Sequence, residues 1–311
     1  MTKSQETRSK KARPKKKGKG NSMEKYQYHD VNHRGKIKYI PYITTNQQGE
    51  MREKYANVYL PYGYDESDQK KKYNILYVMH GGGGNPDAWL DCCKMKNMLD
   101  YVMDEKQVEP LIVVFPSYYK EEIGRVGPPD REVEREHVLF FQKELIEDLM
   151  PAVEQACNTY AQAATREEFE ASRKHRGFGG FSMGAATTWF VFTHHLKFFS
   201  YYVPLSGDCW EVEGQGGLLK PEETAKLLHD RAAGSGYGVE DYFIFTATGT
   251  EDVAYDALQA QVNAMRNFPD TFVEAEEPSK GNFHCLFAEG EVHSYEAAYE
   301  YLYHFLPYLF Q

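Results

Sequence analysis

Gly180-Phe181-Ser182-Met183-Gly184 carries a serine between glycines at the spacing G-x-S-x-G. A nucleophilic serine needs a strained tight turn that exposes its hydroxyl, and small neighbours that let the backbone bend. The surroundings fit: Arg176 to Phe181 reads as a strand, and Gly184-Ala185-Ala186-Thr187-Thr188-Trp189 opens a helix. A helix N-terminus at that point favours a developing oxyanion. The hydroxyl is a weak nucleophile until a base takes its proton. In this strand–turn–helix arrangement the acid and then the histidine follow the serine along the chain. His293, in Glu289-Gly290-Glu291-Val292-His293, falls between the last expected strand and the last expected helix. That is the sheet edge that also carries Ser182, so His293 is the expected general base. His284 falls within a strand and His304 within the final helix, while His194 and His195 follow the serine too closely to fold back.

Asp252, in Thr248-Gly249-Thr250-Glu251-Asp252 directly after a strand, is the expected acid. A carboxylate there can fix the imidazole tautomer and stabilise the imidazolium. Its neighbour Glu251, and Asp208 in Ser206-Gly207-Asp208, remain as alternatives. His80-Gly81-Gly82-Gly83-Gly84 follows another strand, and its glycines let a backbone N–H approach a substrate carbonyl. With the Met183 N–H this makes two donors for a tetrahedral oxyanion, Gly82 being the favoured glycine. The loop lacks the GK[ST] ending of a phosphate-binding loop. There is no H-E-x-x-H and the histidines lack ligand spacing, so neither a metal nor a cofactor is expected.

These groups need elements to hold them. Strands are expected at Ala56 to Leu60, Tyr73 to Met79, Leu111 to Phe115, Gly177 to Phe181, Tyr201 to Leu205, Tyr242 to Ala247 and Phe283 to Ala288. Several are continuous apolar runs, which suit parallel strands covered on both faces. Val138, Phe141, Leu145, Leu149 and Val153 recur at helical steps, with Pro151 expected to kink or divide that helix. Further helices are expected after Met183, through Met265, and from Tyr295 to Leu309. Strands alternating with helices predict one α/β domain around a mostly parallel sheet, with helices on both faces. The polar stretch Ala161 to Lys174 and the Gly-rich stretch Gly214 to Gly238 read as surface excursions able to shape a cleft.

Composition bounds the function classes. The 311 residues are 41% hydrophobic and 14% aromatic, enough for a substantial core, and no apolar run is long enough to span a bilayer. Residues 1 to 20 carry nine Lys/Arg and one acid, a charge of +8. With the whole chain at −10, the remainder stands at −18. An acidic body repels nucleic acid, so neither nucleic acid nor membrane is an expected partner. Residues 1–25 read as a disordered basic tail and 26–311 as the folded domain. The tail has no apolar core of a signal peptide. Five cysteines show neither a CxxC pair nor metal spacing, and their odd number argues against a full disulfide framework. Nothing here sets the oligomeric state.

Together these segments resemble the feruloyl esterase modules of the first carbohydrate esterase family, within the α/β-hydrolase superfamily, especially those joined to cellulosomal xylanases. The resemblance runs from about Lys36 to Phe310 and rests on Asn57-Val58-Tyr59-Leu60-Pro61-Tyr62-Gly63-Tyr64, Met79-His80-Gly81-Gly82-Gly83 and His175 to Gly184. Pro204-Leu205-Ser206-Gly207-Asp208, Ala247-Thr248-Gly249 with Asp252, and Lys280-Gly281-Asn282-Phe283 complete it. It implies an α/β-hydrolase fold with Ser182, Asp252 and His293 as nucleophile, acid and base. It also implies hydrolysis of feruloyl or p-coumaroyl esters on arabinoxylan, or of small hydroxycinnamate esters, outside the cell. Gly81, Asp208 and Trp210 are the implied substrate-binding residues, Trp210 by packing on the phenolic ring or a sugar. Cys209 stands where an aromatic is expected, a change that would reshape the acyl pocket. The same triad serves an acetylxylan esterase or a general carboxylesterase, and a non-catalytic carbohydrate-binding protein is a more distant alternative. A cytoplasmic location stays open.

Overall fold

The structure is a computed structural model that describes residues 25–119 and 130–311. The expectation of a disordered basic tail therefore lies, but for Lys25, outside the described residues. Among the described residues, strand-forming runs rich in Val, Ile, Tyr and Phe give eight strands: β1 (Lys36–Thr45), β2 (Met51–Leu60), β3 (Asn74–Met79), β4 (Leu111–Phe115), β5 (Arg176–Phe181), β6 (Tyr201–Leu205), β7 (Phe243–Gly249) and β8 (Phe283–Ala288). They form one sheet in the order β1-β2-β4-β3-β5-β6-β7-β8. β1 and β2 pair antiparallel, as do β2 and β4, and every pairing from β4 to β8 is parallel. The sequence reading misses β1: Tyr39 to Ile43 is an apolar run, but Pro41 at its middle argues against a strand, and only the edge position, which leaves Ile37, Tyr39 and Ile43 exposed, tolerates it. Pro41 sits in the middle of β1, opposite Tyr55 of β2.

Both faces of the sheet are covered. The helices are α1 (Ala88–Asp91), α2 (Met95–Asp104), α3 (Arg131–Glu144), α4 (Met150–Gln155), α5 (Arg166–Ala171), α6 (Met183–His195), α7 (Gly216–Leu219), α8 (Pro221–Ala233), α9 (Tyr255–Met265) and α10 (Tyr295–Phe305). Along β3, Ile75, Tyr77 and Met79 join a core with Val138 of α3, Trp189 of α6, Leu228 of α8 and Leu258 of α9. Leu76 and Val78 point the other way, to Met98 and Leu99 of α2 and Tyr301 and Leu302 of α10. The period-two alternation of a strand thus divides one apolar run between two cores.

Helix α3 runs through a π-turn at Leu145–Leu149 directly into α4, with helical backbone at both junctions, so Pro151, in the first turn of α4, marks a change of helical form rather than a break. The stretch Gly214 to Gly238 is not a loop excursion. It folds into α7 and α8, both packed on α9, with Ala225, Leu228 and Ala232 of α8 buried at a spacing masked by the flanking glycines. Ala161 to Lys174 contains α5, anchored by buried Phe169, and leads into the start of β5. Ser182 follows the other end of that strand, so this stretch does not shape the cleft described below.

Candidate active site

Ser182 joins β5 to α6 at φ 58° and ψ −115°, a conformation that L-residues rarely hold. Close backbone packing enforces it. A Cβ on Gly180 would meet Met79 O at 2.7 Å, and one on Gly184 would meet the same oxygen at 2.5 Å. The Ser182 N–H is held by Leu205 O of β6 (2.9 Å), and its carbonyl accepts from the Ala185 and Ala186 amides. Helix α6 behind it is apolar all round and buried from Met183 to Thr193, as a helix running between sheet and outer helices must be.

His293 and Asp252 come from the loops after β8 and β7, adjacent parallel strands. These loops are stitched together: the Thr250 N–H donates to Ala288 O, the Glu251 N–H to Glu291 O, and the Gly290 N–H to Thr250 Oγ1. Gly249 allows the contact, since a Cβ there would lie 1.9 Å from Glu291 O. His293 Nδ1 then lies 2.7 Å from Asp252 Oδ1, and His293 Nε2 lies 2.9 Å from Ser182 Oγ. Asp252 Oδ1 also accepts from the Ala254 N–H at 2.7 Å. Burial pushes the Asp252 carboxyl upward, but the hydrogen bonds from His293 and Ala254 outweigh it and hold the group below the ordinary carboxylate range. Glu251, the alternative on the same turn, is exposed.

Asp208 has other partners. Its Oδ1 accepts from Trp210 Nε1 (3.1 Å) and its Oδ2 from the Gly217 N–H (2.8 Å). Burial raises its carboxyl above the usual range despite those two donors. It fixes the Trp210 ring, over which the Arg131 guanidinium lies 5.3 Å from the centroid. Cys209, between them, is fully buried, its N–H donating to Gln261 Oε1 of α9 at 2.7 Å, and it is not among the residues that line the cleft.

Within the glycine loop, the Gly81 N–H donates to Tyr295 Oη (2.9 Å) and the Gly83 N–H to Tyr119 Oη (3.3 Å). Gly82 lies between them and lines the cleft with Ser182, Met183 and His293. Met183 opens α6, so its N–H belongs to the first-turn amides that have no partner within the helix. The cleft holds about 250 Å³ and is walled by Trp210, Asp208, Arg131, Glu134, Gln215 and Val253. A larger cavity of about 520 Å³ opens at the opposite sheet edge between Tyr201, Phe243 and Lys280 and contains none of these groups. Gln215 lies in the Gly-rich stretch read from the sequence as able to shape a cleft, whereas Arg131, Glu134 and the two loop-tethering tyrosines escape the sequence reading, because nothing local marks a residue that reaches the cleft from a distant segment. Among the described residues, no group of three or more His, Cys, Asp or Glu side chains could hold a metal. Nor, among them, is any helix long and apolar enough to cross a membrane.

A serine, an imidazole and a carboxylate in this chain of hydrogen bonds, beside backbone amides, can carry out acyl transfer. A family model described as "Putative esterase" matches residues 50–301. The chain is 39% identical over 258 residues to endo-1,4-beta-xylanase Y of Acetivibrio thermocellus, covering 83% of this chain and 22% of that protein. It is 29% identical over 188 residues to an endo-1,4-beta-xylanase/feruloyl esterase of Xylanibacter ruminicola, covering 59% of this chain and 23% of that one. The chain thus spans under a quarter of the length of these two relatives. A mutant feruloyl esterase module from Clostridium thermocellum, solved in complex with sinapinate, superposes with TM-score 0.76 at 35% identity, covering 94% of this chain and 96% of that one.

Proposed function

Because the chain belongs to the esterase family matched over residues 50–301, we propose that it is a serine esterase for feruloyl and related hydroxycinnamoyl esters, with Ser182 as the nucleophile. The observation that carries this reading is the continuous chain Asp252–His293–Ser182, at 2.7 and 2.9 Å, opening into a cleft walled by Trp210.

In the first step His293 Nε2 takes the Ser182 proton as Oγ adds to the ester carbonyl carbon. The carbonyl π electrons move to oxygen, where the Gly82 and Met183 amides receive the charge. Asp252, ionised at neutral pH, stabilises the imidazolium and keeps Nδ1 protonated. The C–O bond to the sugar then breaks, and His293 returns its proton to the departing alkoxide. Water, deprotonated by the same nitrogen, attacks the acyl-enzyme, and hydroxycinnamate leaves as Ser182 regains its proton. Trp210 offers an aromatic wall for the phenolic ring, and Arg131, Glu134 and Gln215 add polar groups to the same cleft. Gly81, with its amide bound to Tyr295, contributes shape rather than a donor. The natural ester is that of feruloylated arabinoxylan, which places the action outside the cell.

Ser182→Ala should lower kcat on methyl ferulate by at least about 10³-fold, as loss of a nucleophile in such a unit does. A fluorophosphonate probe should label Ser182 in the wild-type protein alone. Near-wild-type turnover by the variant would end the proposal. A kcat/KM for 4-nitrophenyl acetate well above that for methyl ferulate would redirect it to acetyl esters.

A further inference from the structure

Beneath the glycine loop runs a series of buried polar groups that the triad does not use. His80 Nδ1 lies 2.7 Å from the Gly81 carbonyl, and His80 Nε2 lies 2.9 Å from Ser117 Oγ. The Tyr119 N–H donates to that hydroxyl at 3.1 Å, leaving its proton free for the imidazole. Deeper, Lys54 Nζ donates to the Ser117 carbonyl (2.7 Å) and to Glu144 Oε1 (2.5 Å), and Tyr42 donates to the same carboxylate oxygen at 2.6 Å. His80, Ser117, Lys54, Glu144 and Tyr42 are all buried. The imidazole is boxed by Tyr118 and Tyr119, with ring centroids 5.1 and 5.8 Å away, and a Cβ on Gly84 would come within 2.7 Å of Nδ1.

Only one form of His80 fits. Nδ1 faces a carbonyl, which can only accept, so it carries the proton; Nε2 accepts from Ser117. Burial keeps the ring neutral, pushing its pKa down to about 4. The Gly81 carbonyl and the Gly82 N–H belong to the same planar trans peptide and point in opposite directions. Whatever fixes the carbonyl also fixes the line of the N–H, and Gly82 lines the cleft. The Gly84 N–H reaches the same carbonyl at 3.1 Å, but that bond moves with the loop. The bond from His80 ties the loop, through Ser117 just after β4, to Lys54 within β2.

We propose that the His80–Ser117 pair aims the Gly82 amide at the oxyanion, His80 being a positioning residue that never touches substrate. The proposal rests on the acyl-transfer reading of the cleft. Two substitutions test it: His80→Leu removes the donor and keeps bulk, while His80→Asn restores an N–H where Nδ1 stood. His80→Leu should lower kcat on methyl ferulate about 100-fold, the scale of losing one oxyanion donor, with KM within threefold. Affinity for a boronic acid that forms a tetrahedral adduct on Ser182 should fall by a similar factor, while inhibition by free ferulate stays unchanged. His80→Asn should recover at least tenfold in kcat, and Ser117→Ala should lose about tenfold. A folded His80→Leu protein with kcat within threefold of wild type, a change confined to KM, or equal losses in the Leu and Asn variants would overturn it. If His80→Leu does not fold, the Asn and Ser117→Ala kinetics decide. Fluorophosphonate labelling separates the two readings. An unlabelled wild type sinks the acyl-transfer reading itself, whereas a labelled Ser182 with unaltered His80→Leu kinetics sinks only the positioning role.

Discussion

Asp252→Asn gives a sharper outcome than removing the side chain. Two donors converge on Oδ1, the His293 Nδ1–H and the Ala254 N–H, both at 2.7 Å. The backbone N–H cannot become an acceptor, so the introduced amide must place its oxygen there and its NH₂ at the Oδ2 position. The imidazole tautomer therefore survives, and what is lost is the negative charge beside the imidazolium. Two unit charges about 4 Å apart attract by about 4 kcal/mol at an effective dielectric constant near 20. That energy corresponds to roughly a 10³-fold fall in kcat, at about 1.4 kcal/mol per factor of ten. It is smaller than the roughly 10⁴-fold loss seen where an Asn substitution inverts the tautomer. The assay is steady-state hydrolysis of methyl ferulate by wild type and variant, with thermal melts to show equal folding. A loss under tenfold would refute the argument that Asp252 supports the charged histidine. A loss beyond 10⁴-fold would refute the amide orientation.

Other outcomes follow from the same geometry. Gly184→Ala should destabilise by at least about 2 kcal/mol in urea titration, since its Cβ meets Met79 O and His80 O at 2.5 and 2.9 Å. Trp210→Ala should raise KM for methyl ferulate about tenfold with a smaller change for 4-nitrophenyl acetate, which has no aromatic acyl group to stack. His80, with its pKa lowered from 6.5 to about 4, stays neutral when folded, whereas the unfolded chain takes up a proton near pH 6.5. Its contribution to stability is present above pH 6.5 and lost as pH falls toward 4, by about 3 kcal/mol, so urea midpoints should drop across that window and less in His80→Asn. Glu154→Ala should cost about 3–5 kcal/mol, because it strands the buried Arg176 guanidinium that Glu154 grips at 2.7 Å.

That Ser182 and His293 meet is legible in the sequence because each sits where a parallel strand ends, and strand ends can be read from apolar runs. The choice of Asp252 over Asp208 was only partly legible. Both follow strands, and what separates them is that Trp210 and the Gly217 amide engage Asp208 while stitched loops bring Asp252 to His293. The sequence could not show that Cys209 turns inward, since a residue next to a cleft residue need not face the cleft. Nor could it show the tyrosines that hold the glycine loop: Gly81 and Tyr295 are 214 positions apart, and nothing local marks either. Helix α8 was hidden for another reason, because glycines on both sides of Pro221–Ala233 outweighed a short amphipathic pattern.

Pro41 has a consequence for how these molecules meet one another. Among the described residues, β1 borders the sheet with ten residues of backbone paired on one side only, the kind of rim onto which a second chain's strand can add. Pro41, opposite Tyr55, has no N–H to give, and proline within a sheet is confined to positions such as an edge strand. An incoming strand would meet that proline at the middle of β1, with the ammonium groups of Lys36 and Lys38 toward one end. A proline and charged side chains at this rim both work against strand addition by another chain.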